Sequence, residues 1–213
     1  MPRCLLIILA LITGCAACAR ASASPTASEF SDDFTSPLSG WDRYAGSDVV
    51  TDYRDGAYVM EVNRSGVEVW ATPGLDWPAA AVQVDAFWQG GPPSGEFGLI
   101  CRYGRSGDKA SFYYFVITGE GLFTVGKVVR GQRTDLTPGG GFQPAPGLSG
   151  DLNAPVQLAA QCAGQRLRFD IDGQPAADLA DESLSRGGVG LIAGTFEDGG
   201  LSVSFDNFRL ARP

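Results

Sequence analysis

The sequence has no histidine among its 213 residues. Ser-His-Asp and Cys-His catalysis need an imidazole base, and His-ligated zinc and the 2-His-1-carboxylate iron site need imidazole ligands. These chemistries are therefore excluded. Any catalysis by this chain would have to rest on carboxylates, Tyr, Lys or Arg.

Basic residues are also scarce, because 16 Lys and Arg stand against 24 Asp and Glu, and the formal net charge is −8. Proteins that bind nucleic acid draw most of their affinity from basic side chains on phosphates. The charge balance therefore argues against a nucleic-acid partner, and we expect none.

The sequence also lacks a long apolar run. The run Leu5–Ile12, behind the single basic residue Arg3, is too short to span a bilayer and is typical of a secretion signal. It ends in Ile12-Thr13-Gly14-Cys15, which resembles the lipobox of bacterial lipoproteins. The resemblance implies a signal peptide over residues 1–14 and a diacylglycerol on Cys15; ordinary signal cleavage nearby is the alternative. Two or more acyl chains anchor durably. We therefore expect an exported protein on the outer face of a bacterial membrane, at the cell surface or on the periplasmic side.

Residues 15–29 are small and mostly polar, so they cannot bury enough apolar surface to offset the cost of ordering. We expect this segment to be a flexible tether. Residues 30–213 show no internal boundary and are expected to form one domain. With 44% hydrophobic residues the chain has ample material for a core, and we expect a monomer.

The chain has five cysteines. Cys4 would leave with the signal peptide, and Cys15 would carry the lipid. Cys101 lies in the strand-like run GLICRY, and Cys162 ends the strand-like run VQLAAQC. Since the expected compartment is oxidising, we predict a Cys101–Cys162 disulfide, with two buried free thiols as the alternative. Cys18 lies in the tether and is expected to be unpaired.

Short apolar β-type runs separated by glycine and proline dominate the domain, and no segment shows a convincing helical period. The clearest is Glu96–Val129, three runs joined by two Gly-bearing turns, which predicts an antiparallel meander. In all we expect about eleven strands in an all-β, two-sheet antiparallel sandwich. Thr137–Pro155 is predicted to be a long loop, functional or disordered. The small residues of Ala176–Leu184 are compatible with a helical turn.

Several short motifs carry a family resemblance. They are an opening Asp32-Asp33-Phe34, Gly40-Trp41 soon after it, a penultimate Gly188–Gly194 (GVGLIAG) and a closing Phe205-Asp206-Asn207-Phe208. With the strand pattern, they resemble the concanavalin A-like lectin/glucanase superfamily. In particular, they resemble the laminin-G-like jelly rolls of bacterial secreted proteins related to the 3-keto-disaccharide hydrolase domain. The resemblance implies a jelly roll over nearly the whole mature chain.

In such folds the first and last strands lie side by side, which would bring Asp33 close to Asp206. Oxygen ligands that converge there would hold a structural Ca²⁺, as in many sugar-binding jelly rolls. The alternative is that Asp33 and Asp206 cap turns or face solvent. We expect no required cofactor.

The resemblance gives less support to catalysis. Related glucanases carry their acids on one strand as Glu-x-Asp-x-x-Glu, and this spacing is absent. Of the keto-disaccharide hydrolase pattern over Glu96–Arg102, only Gly98 and Arg102 are retained. The nearest acids to such a pattern lie one per strand and are expected to be outward-facing solubilising groups: Glu61, Glu68, Asp85 and Glu96.

Binding is easier to support, because sugars are held by aromatic faces with polar groups beside them. The candidate ligand-binding residues are Trp88, Tyr103, Arg102, Trp70 and Tyr113. We therefore predict a surface lipoprotein that binds an extracellular or cell-wall ligand, with carbohydrate as the expected class. The alternatives are a glycoside-acting hydrolase of the 3-keto-disaccharide type and a non-catalytic module for protein interaction or adhesion.

Overall fold

The computed structural model describes residues 29–150 and 152–213. The predicted signal peptide, Cys15, Cys18 and the tether up to residue 28 lie outside the described residues. Within the described ranges no helix is long and apolar enough to cross a membrane.

Sixteen strands make up the described fold. In chain order they are β1 (Glu29–Asp32), β2 (Tyr44–Ala45), β3 (Val49–Arg54), β4 (Ala57–Val62), β5 (Glu68–Ala71), β6 (Ala80–Gly90), β7 (Glu96–Ser106), β8 (Lys109–Thr118), β9 (Leu122–Val129), β10 (Gln132–Asp135), β11 (Gln143–Pro144), β12 (Val156–Ala163), β13 (Arg166–Ile171), β14 (Gln174–Ala180), β15 (Gly188–Gly194) and β16 (Leu201–Ala211).

The strands form two antiparallel sheets. The nine-stranded sheet has the order β14-β13-β12-β6-β16-β4-β3-β2, and β1 also pairs with β16. The seven-stranded sheet has the order β10-β9-β8-β7-β15-β5, and β11 also pairs with β9. This two-sheet arrangement confirms the predicted β-sandwich, with β7, β8 and β9 as the expected meander.

Three β-hairpins have two-residue turns of the same type. Asp55-Gly56, Arg130-Gly131 and Asp172-Gly173 all have both residues at positive φ, between 48° and 79°. This is the type I′ conformation, whose twist matches that of the flanking strands, and glycine adopts its second position without steric cost. The turns fix the register of β3–β4, β9–β10 and β13–β14.

The core lies between the sheets. It includes fully buried aromatic rings from both sheets, such as Phe97 and Phe115 on one side and Phe169 and Phe205 on the other. Cys101 on β7 and Cys162 on β12 form a disulfide with a Cα–Cα distance of 6.7 Å. This confirms the predicted pairing, and the bond covalently joins the two sheets.

The sixteen strands exceed the number of about eleven that we predicted from the sequence. The additional ones, β1, β2, β10 and β11, have two to four residues each, which is too short to show a clear alternation. The helical turn considered for Ala176–Leu184 is wrong, because Gln174–Ala180 pairs with β13 as an edge strand. The segment 137–155 contains β11, and its Phe142 packs against the seven-stranded sheet.

Candidate functional site

The seven-stranded sheet has a second apolar cluster on the face that points away from the sandwich core, which we call the outer face. Successive side chains of a strand point to opposite sides of a sheet. Phe97, Leu99 and Cys101 of β7 belong to the core between the sheets, whereas Ile100 belongs to the second cluster. The other buried members are Ala110, Phe112, Tyr114, Val116, Val128 and Ile192.

An aromatic patch lies on this outer face. Phe112 is fully buried and forms its floor. Trp70 on β5 and Tyr103 on β7 are half-buried, with ring centroids 5.2 and 6.3 Å from that of Phe112 and 6.2 Å from each other. Two of the five predicted ligand-binding residues, Trp70 and Tyr103, are thus brought together with part of each side chain exposed.

A charged cluster lies on the same face. Arg133, on the edge strand β10, donates from Nη1 to Glu96 Oε1 at 2.5 Å and to Glu68 Oε1 at 2.6 Å, and from Nη2 to Glu96 Oε2 at 2.8 Å. The Glu96 side chain is only 2% exposed, and those of Glu68 and Arg133 are 25% and 32% exposed. The fork of one guanidinium therefore holds two carboxylates from two different strands.

The environment of the cluster shifts its protonation equilibria. Burial, and then the neighbouring Glu96 carboxylate, raise the pKa of Glu68 to about 7, although Arg133 opposes both effects. Burial works against the charged form of Arg133, but the Glu96 carboxylate keeps the pKa of Arg133 above its ordinary value. The cluster can therefore take up or release a proton near neutral pH.

Tyr114 connects the charged cluster to the sheet beneath it. Its hydroxyl donates to the Asp135 carboxylate, and the Arg133 guanidinium lies 4.1 Å from the centroid of its ring. Gly126 makes this possible, since a Cβ there would approach the Tyr114 hydroxyl to 2.1 Å. Burial raises the pKa of Tyr114 well above its ordinary value. The ring therefore remains a neutral platform for the cation.

This geometry corrects the interpretation of the acids as outward solubilising groups. It is wrong for Glu96, which is buried, and for Glu68, which is mostly buried and shares Arg133 with it. Glu61 is exposed to the same extent as Glu68, but its partner Arg54 is about half exposed and no second carboxylate among the described residues shares it. The pairing of Glu68 with Glu96 was missed because β15 separates their strands in the sheet, and sequence alternation gives no strand order.

Arg102 and Tyr113 point instead toward the nine-stranded sheet. Arg102 is 3% exposed and donates 2.5 Å bonds to Leu184 O and Gly164 O. Tyr113 is fully buried, and its hydroxyl donates to Asp181 Oδ1 at 2.6 Å. Both side chains hold loops of the sandwich in this structure, and neither presents a face to solvent.

Asp181 anchors the segment between β14 and β15. Lys127 Nζ donates to its Oδ2 at 2.6 Å, and the backbone N–H of Ser183 donates to its Oδ1 at 2.9 Å. Partial burial disfavours the charged carboxylate, but the bonds from Lys127, Tyr113 and Ser183 outweigh it and hold the pKa of Asp181 well below its usual range. Burial and the bond to Asp181 raise the pKa of Tyr113 to about 12.

Trp88 lies on a different sheet from the other candidate ligand-binding residues. It lies on β6 of the nine-stranded sheet and packs against the main core, half-buried. Its indole Nε1 is buried and has no hydrogen-bond partner among the described residues. Trp88 therefore does not share a surface with Trp70 and Tyr103.

The predicted calcium ligands have other partners here. Asp33 is exposed, and its Oδ1 accepts from the hydroxyl of Thr35 at 2.7 Å. Asp206 Oδ1 accepts from the backbone N–H of Asn207 at 2.6 Å. Across residues 29–150 and 152–213, no group of three or more acidic or cysteine side chains is arranged to hold a metal ion.

A cavity of about 370 Å³ opens at the Glu96 end of the outer face. Its aromatic walls are Phe142 and Phe196, whose rings meet edge to face with centroids 5.9 Å apart. The cavity is also lined by Ser94, Thr118, Glu120, Leu122, Glu197 and Asp198. Thr118 lies directly opposite Glu96 in the β7–β8 register, so the cavity adjoins the charged cluster.

Comparison with solved structures identifies the class of fold. Carbohydrate binding module CBM66 from Bacillus subtilis is 16% identical, with a TM-score of 0.62, and the match covers 81% of this chain and 95% of that one. A protein of unknown function with a galectin-like fold from Bacillus subtilis is 11% identical, with a TM-score of 0.66 and coverages of 86% and 94%. The beta-glucanase of Bacillus licheniformis is 11% identical, with a TM-score of 0.66 and coverages of 88% and 100%.

These likenesses show that the chain has a jelly-roll fold that is also found in a carbohydrate-binding module and in a glucanase. At such low identity they show the fold alone. No protein-family model matches the sequence, and no curated protein matches it either.

Proposed function

We propose that this chain is a membrane-anchored, exported protein whose jelly-roll domain binds a glycan on the outer face of the seven-stranded sheet. One observation carries the proposal: two partly exposed rings, Trp70 and Tyr103, lie together on the buried ring of Phe112. Sugars bind such faces because their C–H surfaces pack on aromatic rings while nearby polar groups bind the hydroxyls.

Polar groups of the right kind lie beside the rings. Glu68 is two residues from Trp70 on β5, so both side chains point to the same face. Its carboxyl group is partly exposed and is held in place by Arg133. A carboxyl group fixed in this way is prepared to accept hydrogen bonds from sugar hydroxyls without a further ordering cost. The fold shared with a carbohydrate-binding module also supports the proposal.

The proposal is tested by pull-down of the purified full chain on insoluble polysaccharides and by a glycan array, with calcium and with EDTA. We expect saturable binding that falls at least tenfold in Trp70→Ala and about fivefold in Tyr103→Ala, as expected when a stacking ring is removed from a binding site. Tyr44→Ala is the matched control, because Tyr44 is 61% exposed on the other sheet. Unchanged binding by Trp70→Ala, or no binding of the wild-type chain to any glycan in either buffer, would reject the proposal. A protein-interaction module would then be favoured.

The anchoring part of the proposal has its own test. Cys15 is the residue that the lipobox resemblance would have lipidated. We expect the wild-type chain to incorporate labelled fatty acid and to sediment with membranes, and Cys15→Ser to do neither. Label retained by Cys15→Ser would reject lipidation at this residue.

A glycoside-acting enzyme is the second candidate, because Glu68 and Glu96 meet on the outer face and their environments differ. Glu68, with its raised pKa, would be the acid, and Glu96, held by two bonds from Arg133, would be the second carboxyl group. Arg133 contacts both carboxylates, however, and occupies the space between them. Release of reducing ends that is abolished by Glu68→Gln would support the enzyme; binding without release would support the lectin-like module.

A further inference from the structure

The cavity beside Phe142 and Phe196 has an unusual set of lining groups. Three of its side chains are carboxylates, Glu120, Glu197 and Asp198, and no basic side chain lines it. In the described ranges 29–150 and 152–213, no ion pair or side-chain hydrogen bond engages any of these three carboxylates. By contrast, the carboxylates of the neighbouring charged cluster, Glu68 and Glu96, are both satisfied by Arg133.

The aromatic walls add a second attraction for a cation. Phe196 is 40% exposed, which is unusual for a large apolar side chain in this structure. Its ring lies at 87° to that of Phe142, so the two rings form adjacent walls of one corner. The face of an aromatic ring carries negative potential and attracts ammonium groups. Ring faces and unpaired carboxylates at one cavity thus favour the same kind of ligand.

The cavity is also continuous with the proposed glycan-binding face. Thr118 lines it and lies opposite Glu96, and Phe142 packs against the apolar cluster of the outer face. Its volume of about 370 Å³ is near the lower end of the range of small-ligand sites, about 300–1,000 Å³. A glycan that follows the outer face from Trp70 would therefore place a further sugar unit in this cavity.

We infer that this cavity is a subsite for a sugar that carries a free amino group, so that the preferred ligand is a glycan with unacetylated amino sugars. This inference rests on the proposed glycan-binding function and specifies its ligand. The ammonium group would lie against the rings of Phe142 and Phe196 and would be neutralised by Glu120, Glu197 and Asp198. An acidic glycan would be repelled by the same carboxylates.

The test compares two hexamers of glucosamine, one fully deacetylated and one fully N-acetylated, by calorimetric titration of the full chain below the pKa of the amine. We expect the deacetylated hexamer to bind about tenfold more tightly, because several exposed ion pairs act together. The preference should shrink to about twofold in the double variant Glu197→Gln/Asp198→Asn and at high ionic strength. Phe196→Ala should weaken binding of the deacetylated hexamer about fivefold.

Asp55→Asn is the matched control for charge. It removes one negative charge from the β3–β4 turn, where asparagine tolerates the positive φ of 53°. We expect no change in the preference. Equal affinity for the two hexamers, or an equal loss of the preference in Asp55→Asn and in Glu197→Gln/Asp198→Asn, would overturn the inference.

The same experiment separates this inference from the proposed function. If both hexamers bind equally well and Trp70→Ala abolishes the binding of both, the proposed glycan-binding face is supported and the amine subsite is rejected. An amine preference that depends on Phe196 and Glu197 but not on Trp70 would support the subsite and reject the aromatic patch as the binding surface.

Discussion

Arg102 and Arg133 belong to the same sheet but act on its opposite faces. Arg102 points toward the other sheet, is almost fully buried, and donates to two backbone carbonyls. Arg133 lies over the outer face, is about one-third exposed, and holds two carboxylates. The first arginine joins loops whose bonding groups cannot titrate, whereas the second organises side chains that can. The bonds of Arg102 therefore serve stability, whereas the charged cluster around Arg133 can respond to pH and to a ligand.

The largest effect is expected from removal of the Cys101–Cys162 disulfide, which lies between the two sheets beside Arg102. The disulfide next to Arg102 closes a loop with a sequence separation of 61 residues. In the chain-entropy account, a loop of that size contributes about 4 kcal/mol to the free energy of unfolding. We therefore expect Cys101→Ala/Cys162→Ala to lose about this much in urea unfolding. Reductant should destabilise the wild-type chain by a similar amount and leave the double variant unchanged. A loss below about 1 kcal/mol would contradict the assignment.

Removal of the buried arginine should have the next largest effect. Arg102→Leu leaves the carbonyls of Leu184 and Gly164 without this donor inside the protein. We expect the free energy of unfolding to fall by about 3 kcal/mol, since each unsatisfied buried group costs about 1–3 kcal/mol. Urea unfolding at several pH values provides the check. The loss should be the same across neutral pH, because neither acceptor titrates; a loss that varied strongly with pH would contradict this account.

Glu68 of the charged cluster should make the free energy of unfolding depend on pH. The pKa of Glu68 is about 7 in the folded protein and about 4.3 in the unfolded chain. Between these values the folded state binds a proton at Glu68 that the unfolded state has released, so the contribution of this group to stability is greatest below about pH 4.3 and is lost as pH rises through 7. The full difference in pKa corresponds to about 4 kcal/mol, and since solvent screens the partly exposed Glu68 we expect this group to account for about 2 kcal/mol. Glu68→Gln should flatten the urea-unfolding profile between these pH values. An unchanged slope in this variant would assign the dependence to another group.

An exposed arginine provides the lower limit of the comparison. Arg166 pairs with Asp178 on the outside of the nine-stranded sheet, and their side chains are 60% and 48% exposed. Such pairs contribute little because water and salt screen them. We expect Arg166→Ala to unfold at the same urea concentration as the wild-type chain, within error. A clear loss of stability in Arg166→Ala would mean that burial does not determine how much an arginine contributes to the free energy of unfolding.

Much of the fold could be predicted because local rules determine it. The meander of β7, β8 and β9 follows from alternation and Gly-bearing turns, and the β3–β4 hairpin follows from Asp55-Gly56. The disulfide followed from two cysteines in strand-like runs and from the oxidising compartment that the predicted signal peptide implies. The resemblance motifs are largely structural: Asp32 accepts from the indole Nε1 of Trp41 at 2.9 Å.

The site was harder to predict because its geometry depends on strand order and on one irregularity. Glu68 and Glu96 meet only because β15 inserts between their strands, with Gly194 paired to each of them. The β-bulge after Cys101 gives Arg102 a φ of 55°, and alternation is lost there. Bulges redirect side chains, so Arg102 points inward and Tyr103 outward. A regular strand would have predicted the reverse.

The position of β16 has a consequence for the timing of folding. This strand, Leu201–Ala211, pairs with β6 on one side and with β1 and β4 on the other. The nine-stranded sheet therefore cannot close until residue 201 and those after it have left the ribosome. Contacts between such distant parts of a chain also form slowly. Before β16 is synthesised, β4 and β6 therefore lack the strand that lies between them in the sheet.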